Sequence, residues 1–351
     1  MTPTPGTGPA REPLRSAVRR AVTPWTVLVV AGVIALQLLF IASYVGALHR
    51  PELRDVPFGV VAPPAAAAQE TARLERLPGS PLDPRTVADE ATARERILDR
   101  SIDGALITGP DGGDTLLVAS GGGAVLATDL QRLLTGLERP EGRTLRTVDV
   151  APASPQDFDG LSSFYASVGW CVGGYLCAAM IAIVAGARPA GLLGAVVRIA
   201  CMALVALVGG LGGAVIVGPV LGALPGSVGA LWGLGALITF AVGAATLALQ
   251  GFFDIIGIGL AILLVVVAGN PSAGGALPPP MLPPFWEAIG PALPPGAGTW
   301  TARSIAYFEG NAVLGPLLVL SAWAVVGSVL TLLSAVVRRG ERQGEPLAGA
   351  F

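Results

Sequence analysis

Residues 199–253 read IACMALVALVGGLGGAVIVGPVLGALPGSVGALWGLGALITFAVGAATLALQGFF, a run of 55 positions without Asp, Glu, Lys or Arg. One helix crosses the apolar core of a bilayer with about 20 residues, whereas a run of this length would form a helix of roughly 80 Å. Pro and Gly end helices, and both occur in the segment GPVLGALPG at 218–226. We therefore predict two membrane-spanning helices here, over 192–217 and 227–250.

Four further stretches lack these ionisable residues, and each has the length of one crossing. The first is an apolar stretch of 24 residues, 25–48, whereas the apolar region of a cleaved signal peptide has about 7–15. We therefore predict an uncleaved anchor. The predicted fold class is an α-helical polytopic membrane protein with six transmembrane helices. The four single crossings are expected at 25–48, 163–187, 253–270 and 312–337.

The composition agrees with this fold class and argues against three others. Apolar residues make up 52% of the chain and charged residues 13%, against about 25% charged in soluble domains. The net charge is −2 and all 22 basic residues are Arg, so the clustered basic excess of a nucleic-acid-binding protein is missing. The single histidine, His49, argues against a histidine-rich metal site. No cofactor is predicted. Cysteines in apolar runs are expected to pack rather than to form a disulfide scaffold, and they are Cys171, Cys177 and Cys201.

The arginines indicate an orientation, because basic residues of short segments stay on the cytoplasmic side. Six crossings place both chain ends and the segment between the second and third helices on one side. We therefore predict a multi-pass protein of the cell membrane with both termini cytoplasmic, the tails being 1–24 and 338–351. The arginines that carry this inference are Arg11, Arg15, Arg19, Arg20, Arg188, Arg198, Arg338, Arg339 and Arg342.

Residues 49–162 are then predicted to form an extracytoplasmic domain, since long domains are translocated largely regardless of charge. Its 18 acids and 12 arginines are typical of a soluble, acidic domain. We interpret the run Gly121-Gly122-Gly123 as a flexible turn; the alternative is an anion site at the N-terminus of the following helix. The expected elements of this small α/β domain are strand 58–62, helix 64–77, helix 86–100, hairpin 105–108 with 115–118, a Leu-rich helix over 126–137 and strand 144–150.

The middle of each predicted span lacks Asp, Glu, His, Lys and Arg. Ion-coupled transporters carry such residues within the membrane, so an ion-driven pump is disfavoured. Asp254 lies at a helix start, where a carboxylate suits the helix dipole, and we interpret it as a cap rather than a transport group. Two GxxxG patterns predict close helix packing within the chain or, as the alternative, a homodimer contact. Their residues are Gly209, Gly213, Gly229 and Gly233.

Residues 271–311 are rich in Pro and aromatic side chains. We predict two short helices, one around Trp286 and one over 299–308, as a re-entrant or interfacial pair that closes the outer mouth of a pathway. Arg303 is expected to reach lipid headgroups or Glu287. The alternative is an irregular external connector. The candidate residues of this outer gate are Pro283, Pro284, Phe285, Trp286, Glu287, Pro294, Pro295, Arg303 and Tyr307.

Four segments of this region carry a resemblance to a known family. They are GNPS at 269–272, LPPFW at 282–286, PALPPG at 291–296 and RSIAYF at 303–308. Together with one span, an outer domain and five more spans, they make residues 25–337 resemble ABC-2-type permeases, particularly the YhgE/Pip (phage-infection-protein-like) branch.

The resemblance implies the membrane half of an exporter that works as a dimer with a cytoplasmic ATPase. The ATPase is expected to press on the coupling loop between the second and third helices, at Arg188 and Arg198. The chain has no Walker A pattern and no Lys, so it does not hydrolyse ATP by that route alone.

The predicted function is export of an amphipathic or lipid-like compound. The expected partners are the lipid bilayer, a second copy and a separate ATPase, with no nucleic acid. The alternative is a cell-envelope scaffold or receptor whose outer domain binds a partner. An enzyme is disfavoured, because the predicted spans hold no carboxylate pair, metal cluster or nucleophile–base pair.

Overall fold

The computed structural model describes residues 23–343. Of the predicted tails, 1–22 and 344–351 lie outside these residues. The chain divides after Gly46 into two units. The described part of the first unit is formed by helix α1, Pro24–Leu48, whose last two residues belong to the second unit. It is an apolar helix without a charged residue, on which large side chains such as Val33 are exposed.

The second unit begins with an α/β domain. Its elements are β1 Val56–Val61, α2 Pro64–Glu75, β2 Leu82–Thr86, α3 Glu90–Leu98, β3 Gly104–Ile107, β4 Gly113–Val118, α4 Ala124–Glu138 and β5 Thr144–Asp149. The strands form one sheet in the order β2-β1-β3-β4-β5. Strands β3 and β4 are antiparallel, which confirms the predicted hairpin, and the other neighbours are parallel.

Strand β2 is absent from the sequence-based prediction, and the helix predicted over 86–100 begins later, at Glu90. The strand carries Pro84 and two charged residues in place of an apolar alternation. It lies at the edge of the sheet, where a proline is tolerated because one side needs no ladder hydrogen bond. Helix α3 starts where the Asp89 carboxylate accepts a hydrogen bond of 2.7 Å from the backbone N–H of Thr92, a common N-cap.

Both faces of the sheet are covered by apolar side chains. Phe58 and Leu106 are fully buried on one face, and Ile97 of α3 is buried on the other. The first cluster also contains Met281, and Trp286 packs against it. The Pro-rich segment therefore completes the hydrophobic core of the α/β domain.

The remainder of the second unit is a helical bundle with two short helices. Five helices of the described chain, one of them α1, are long and apolar enough to cross a membrane, so this is a helical membrane protein. Helix α7 is the most buried of the five. The helices of this part are α5 Ser162–Ala185, α6 Gly191–Val215, α7 Val228–Phe253, α8 Ile256–Ile262, α9 Pro284–Ile289, α10 Pro294–Tyr307 and α11 Leu314–Gln343.

Several helix bounds differ from the prediction. A π-helical segment, Ile216–Val220, extends α6 through Pro219, so the break comes after Val220. Helix α11 continues to Gln343, past the predicted end at 337. The sixth predicted span, 253–270, is represented by α8 and a π-helical continuation, which together cover Ile256–Gly269. This apolar segment is shorter than the five long helices.

The bundle has two ends. Residues 186–190 connect α5 to α6, and Arg188 in this connection forms an ion pair of 3.1 Å with Asp254. We call this the loop end. The α/β domain packs at the opposite end, where Gly226 approaches the backbone of Ile305 in α10, and we call it the domain end.

Two glycines allow α6 and α7 to pack closely against the indole of Trp170 in α5. Trp170 lies between Gly213 and Gly235: a Cβ on Gly213 would be 2.3 Å from Trp170 Nε1, and a Cβ on Gly235 would be 2.4 Å from Cε2. Heavy atoms in contact need about 3.5–4.0 Å, so neither position has space for a side chain.

The other predicted GxxxG glycines lie elsewhere. A Cβ on Gly209 or Gly233 would have no neighbouring atom within 4 Å in the described part of the chain, and one on Gly229 would meet only Ser227. Within this chain the close packing involves Gly213 but not the other three, because these three face away from the neighbouring helices.

Candidate functional site

The Pro-rich segment inserts into the bundle from the domain end. Trp323 Nε1 donates a hydrogen bond of 2.9 Å to Ala292 O, between α9 and α10. Trp323 lies nine residues into α11, so this point is about 14 Å along the helix from Leu314. Helix α10 then returns to the domain end. The two predicted short helices are confirmed, in place of an irregular connector.

Prolines determine where both short helices begin. Pro283 precedes α9 and Pro284 is its first residue. Pro294 and Pro295 are buried in the first turn of α10. Proline suits the first helical turn, since its fixed φ is helical and the N–H it lacks has no partner there. The second helix therefore begins at Pro294, five residues before the predicted start at Thr299.

Arg303 of α10 is enclosed by protein rather than extended to lipid or to Glu287. It is 2% exposed. Its guanidinium donates hydrogen bonds to the carbonyl oxygens of Gly274 (2.6 Å), Gly275 (2.9 Å) and Gly160 (3.3 Å). Arg303 does not form the predicted contact with Glu287, because α10 places it inside the turn that follows Gly269. Its Nε has no hydrogen-bond partner within residues 23–343.

The glycine run 121–123 is a docking surface for the end of α10. A Cβ on Gly121 would be 2.5 Å from Tyr307 Cγ, and one on Gly123 would be 2.3 Å from Pro278. The Tyr307 hydroxyl donates to Asp157 Oδ2 at 2.5 Å, and burial, together with this carboxylate, raises the pKa of Tyr307. The run is thus packed against protein, and it is neither the flexible turn nor the open anion site that the sequence suggested.

A cation of the α/β domain binds the same helix. The Arg100 guanidinium carbon lies 3.4 Å from the centroid of the Trp300 ring and 4.7 Å from that of Phe308. Arg100 Nη1 also donates to Trp300 O and Ser304 Oγ, both at 2.9 Å. Burial, with a smaller effect of the nearby Arg303, lowers the pKa of Arg100 to about 9, so it stays charged at neutral pH. Arg100 is not among the residues predicted from the sequence, because nothing in the sequence distinguishes it from the other arginines of the domain.

The remaining gate candidates lie around α9. Trp286 packs on the core of the α/β domain, whereas Phe285 is exposed. Glu287 is not paired with Arg303; burial raises the pKa of Glu287, although Arg54 acts in the opposite direction. Helix α9 thus supports the α/β domain, and α10 carries the polar contacts.

Two pockets follow α11 from the domain end inward. The first, which we call the arginine pocket, has a volume of about 350 Å³, and Arg303 is the one charged residue among the described residues that line it. The second, which we call the lateral groove, has a volume of about 470 Å³ and an entirely apolar lining with an exposed rim. The adjacent residues Pro291 and Ala292 line one pocket each.

The two candidate residues of the coupling loop differ in their surroundings. Arg198 is buried within α6 and donates to the carbonyl oxygens of residues 185–188 at 2.7–3.1 Å. It therefore caps the C-terminus of α5 and offers no docking surface, because its donors are used by these carbonyls. Arg188 is exposed and paired with Asp254, whose side chain also accepts from the N–H of Ile255 at 2.9 Å.

No protein-family model matches this chain, and neither the characterised proteins nor the solved structures compared with it show a match. Among residues 23–343, no group of three or more His, Cys, Asp or Glu is arranged to hold a metal ion.

Proposed function

We propose that the protein is a membrane permease that exports an amphipathic or lipid-like compound, with energy from a separate ATPase. The lateral groove is the observation that carries this proposal. It lies between α7 and α11, two helices long enough to span a membrane, and is lined by apolar side chains such as Phe252, Leu264 and Val326. A concave apolar surface with a polar residue close to one end suits a ligand that has a chain and a head.

The proposal includes six crossings, with Ile256–Gly269 as the fifth along the chain. Two contacts support it. Gly257 packs against the backbone of Leu249 near the loop end, and Gly269 packs against Pro295 below the domain end. The segment therefore covers most of the distance between the ends of the bundle, and the inserted Pro294 turn meets it from the other side.

In this proposal the domain end faces outward and the loop end faces the cytoplasm. The described helices of the bundle carry no acid–base relay in their middle, so energy has to come from outside the spans. The loop end offers Arg188 and Asp254 as exposed charges for an ATPase partner. In the proposal the working unit is a dimer, as the resemblance to ABC-2-type permeases implies.

Two adjacent valines of α11 test the groove. Val326 lines it and Val325 does not, although both are more than half exposed. The probes are fluorescent dodecyl amphiphiles with neutral, cationic or anionic heads, whose accumulation is compared in cells with and without the gene. We expect wild type and Val325→Trp to lower the accumulation of at least one probe and Val326→Trp to lose this effect. Equal accumulation of every probe with and without the gene would contradict the proposal.

Labelling of intact cells tests the orientation separately. In a chain without its native cysteines, a membrane-impermeant maleimide should react with Asp111→Cys in the exposed hairpin turn of the α/β domain. The matched variant Ala190→Cys, exposed at the loop end, should react only after permeabilisation. The reverse pattern would place the domain in the cytoplasm.

A further inference from the structure

The arginine pocket holds a cation without a matching anion. All three hydrogen bonds of Arg303 go to neutral carbonyl oxygens, and no carboxylate within the described residues lies within ion-pair distance of it. Burying a charge without a partner is costly, whereas a paired and hydrogen-bonded charge is tolerated. Arg303 is thus a buried charge at the wall of a cavity, and its Nε has no partner.

Arg303 is the one charged residue among the described residues that line the pocket, and a second arginine lies next to it. Arg100 stacks on Trp300, which also lines the pocket. Two acids oppose these arginines. Asp157, which accepts the hydrogen bond of the Tyr307 hydroxyl, raises the pKa of Arg303. Asp103 raises the pKa of Arg100 in the same way, and burial raises the pKa of Asp103 itself to about 6.

The pocket and the lateral groove lie in sequence along one helix. Leu314 and Gly315 line the arginine pocket, and the groove follows from Val319 to Leu330 on the same helix. A ligand with its head beside Arg303 would therefore place its chain at the depth of the hydrocarbon core.

We propose that the arginine pocket binds the carboxylate or phosphate head of a long-chain anionic amphiphile whose chain occupies the lateral groove. The chain placement rests on the proposed function, whereas the head placement rests on Arg303 alone. Carboxylates and phosphates form charge-assisted hydrogen bonds with guanidinium groups, so both heads fit this chemistry.

Binding to the full-length protein in phosphatidylcholine nanodiscs tests the proposal. The probes are radiolabelled hexadecyl phosphate, hexadecanol with the same chain but no charge, and inorganic phosphate with the charge but no chain. Empty nanodiscs give the background. We expect hexadecyl phosphate to bind at least about tenfold tighter than hexadecanol, which corresponds to about 1.4 kcal/mol. Inorganic phosphate should not displace it at equal concentration.

Substitutions assign the binding to this pocket. Arg303→Gln should abolish the preference for the anionic head, and Arg303→Lys should retain most of it, which a purely structural role would not produce. If Arg303→Gln does not fold, Gly315→Leu serves as the second test of binding at this pocket. Gly315 lines the pocket and a Cβ on it meets no atom within 4 Å, so we expect the leucine side chain to occupy the space of the ligand head. The matched control is Gly169→Leu, a similarly open helix position outside the pocket.

Three results would overturn the inference: equal affinities for hexadecyl phosphate and hexadecanol, displacement by inorganic phosphate at equal concentration, or no effect of Gly315→Leu. Binding needs neither an ATPase nor transport. Preferential binding without export would therefore contradict only the proposed function, and export without preferential binding would contradict only this inference.

Discussion

The indole of Trp170 gives the sharpest test of how the bundle is held together. The same edge of the ring lies 2.3 Å from a Cβ on Gly213 and 2.4 Å from a Cβ on Gly235. A methyl group on either glycine would overlap the ring by more than about 1 Å. The ring is 5% exposed and packed among buried apolar side chains of the bundle, so it has little space to move. Forcing an extra methyl group into a packed core costs about 1–3 kcal/mol. Since both sides are closed, we expect Gly235→Ala to cost about 2–3 kcal/mol.

Gly233→Ala is the matched control. It lies two residues away on the same helix, and a Cβ there meets no atom within 4 Å in the described chain. Both substitutions gain the same helix propensity of about 1 kcal/mol, so their difference measures the contact with the indole alone.

The neighbouring thiol provides the assay. Cys171 is fully buried beside Trp170, and Cys177 and Cys201 can be replaced by Ala. Reaction of Cys171 with a maleimide then requires local opening, whose population rises with the loss of stability. We expect Gly235→Ala to react between about 30-fold and 140-fold faster than wild type. Gly233→Ala should not react faster than wild type.

A double variant separates sterics from a general loss of packing. Trp170→Phe removes the ring edge, so Gly235→Ala should cost much less in that background than in wild type. The reasoning is refuted if Gly233→Ala and Gly235→Ala react at equal rates, or if Trp170→Phe leaves the cost of Gly235→Ala unchanged.

Three further predictions concern the domain contact and the loop end. Gly121→Val should release α10 from the α/β domain and speed protease cleavage after 307 by about tenfold, whereas the exposed helix variant Gly136→Val should not. Arg198→Gln should lower the unfolding free energy measured in denaturing detergent by about 3 kcal/mol, because the carbonyls at the end of α5 lose a buried charged donor; a smaller loss than for Arg198→Lys would contradict this. Burial raises the pKa of Asp103 to about 6 from 3.8, so the folded form binds the proton first. Stability should therefore rise as the pH falls from about 6 to 4, and Asp103→Asn should flatten this dependence in thermal unfolding scans.

The membrane helices were predictable because their signal is strong and local. Hydrocarbon excludes charge along the whole length of a helix, so the run 199–253, which has no charged residue at any position, is a strong signal. The short helices of the Pro-rich segment were predictable for a related reason, since proline pairs such as Pro283-Pro284 mark a helix start. The edge strand with Pro84 was missed because proline and charged residues are atypical of strands, and only the position of β2 at the edge of the sheet makes the proline tolerable.

The candidate site was only partly predictable. Arg303 was singled out, yet its partners are carbonyl oxygens of residues 160, 274 and 275, which no side-chain pattern reveals. Arg100 and Trp300 are 200 positions apart in the chain, and their contact exists only because the domain docks on α10. The GxxxG pattern did not distinguish Gly213 from Gly209, since the spacing is shared and only the position of Trp170 differs.

The sequence by itself determined three properties: the membrane location of the chain, the starting points of its long helices, and the presence of an acidic α/β domain between them. These properties depend on whether each residue suits hydrocarbon or water, which is decided by the chemistry of that residue. Tertiary structure alone decided which glycines touch a neighbour, that residues 277–286 complete the core of the α/β domain, and that Arg303 lies beside a cavity. These properties depend on which surfaces meet, and that is settled by packing between segments far apart in the chain.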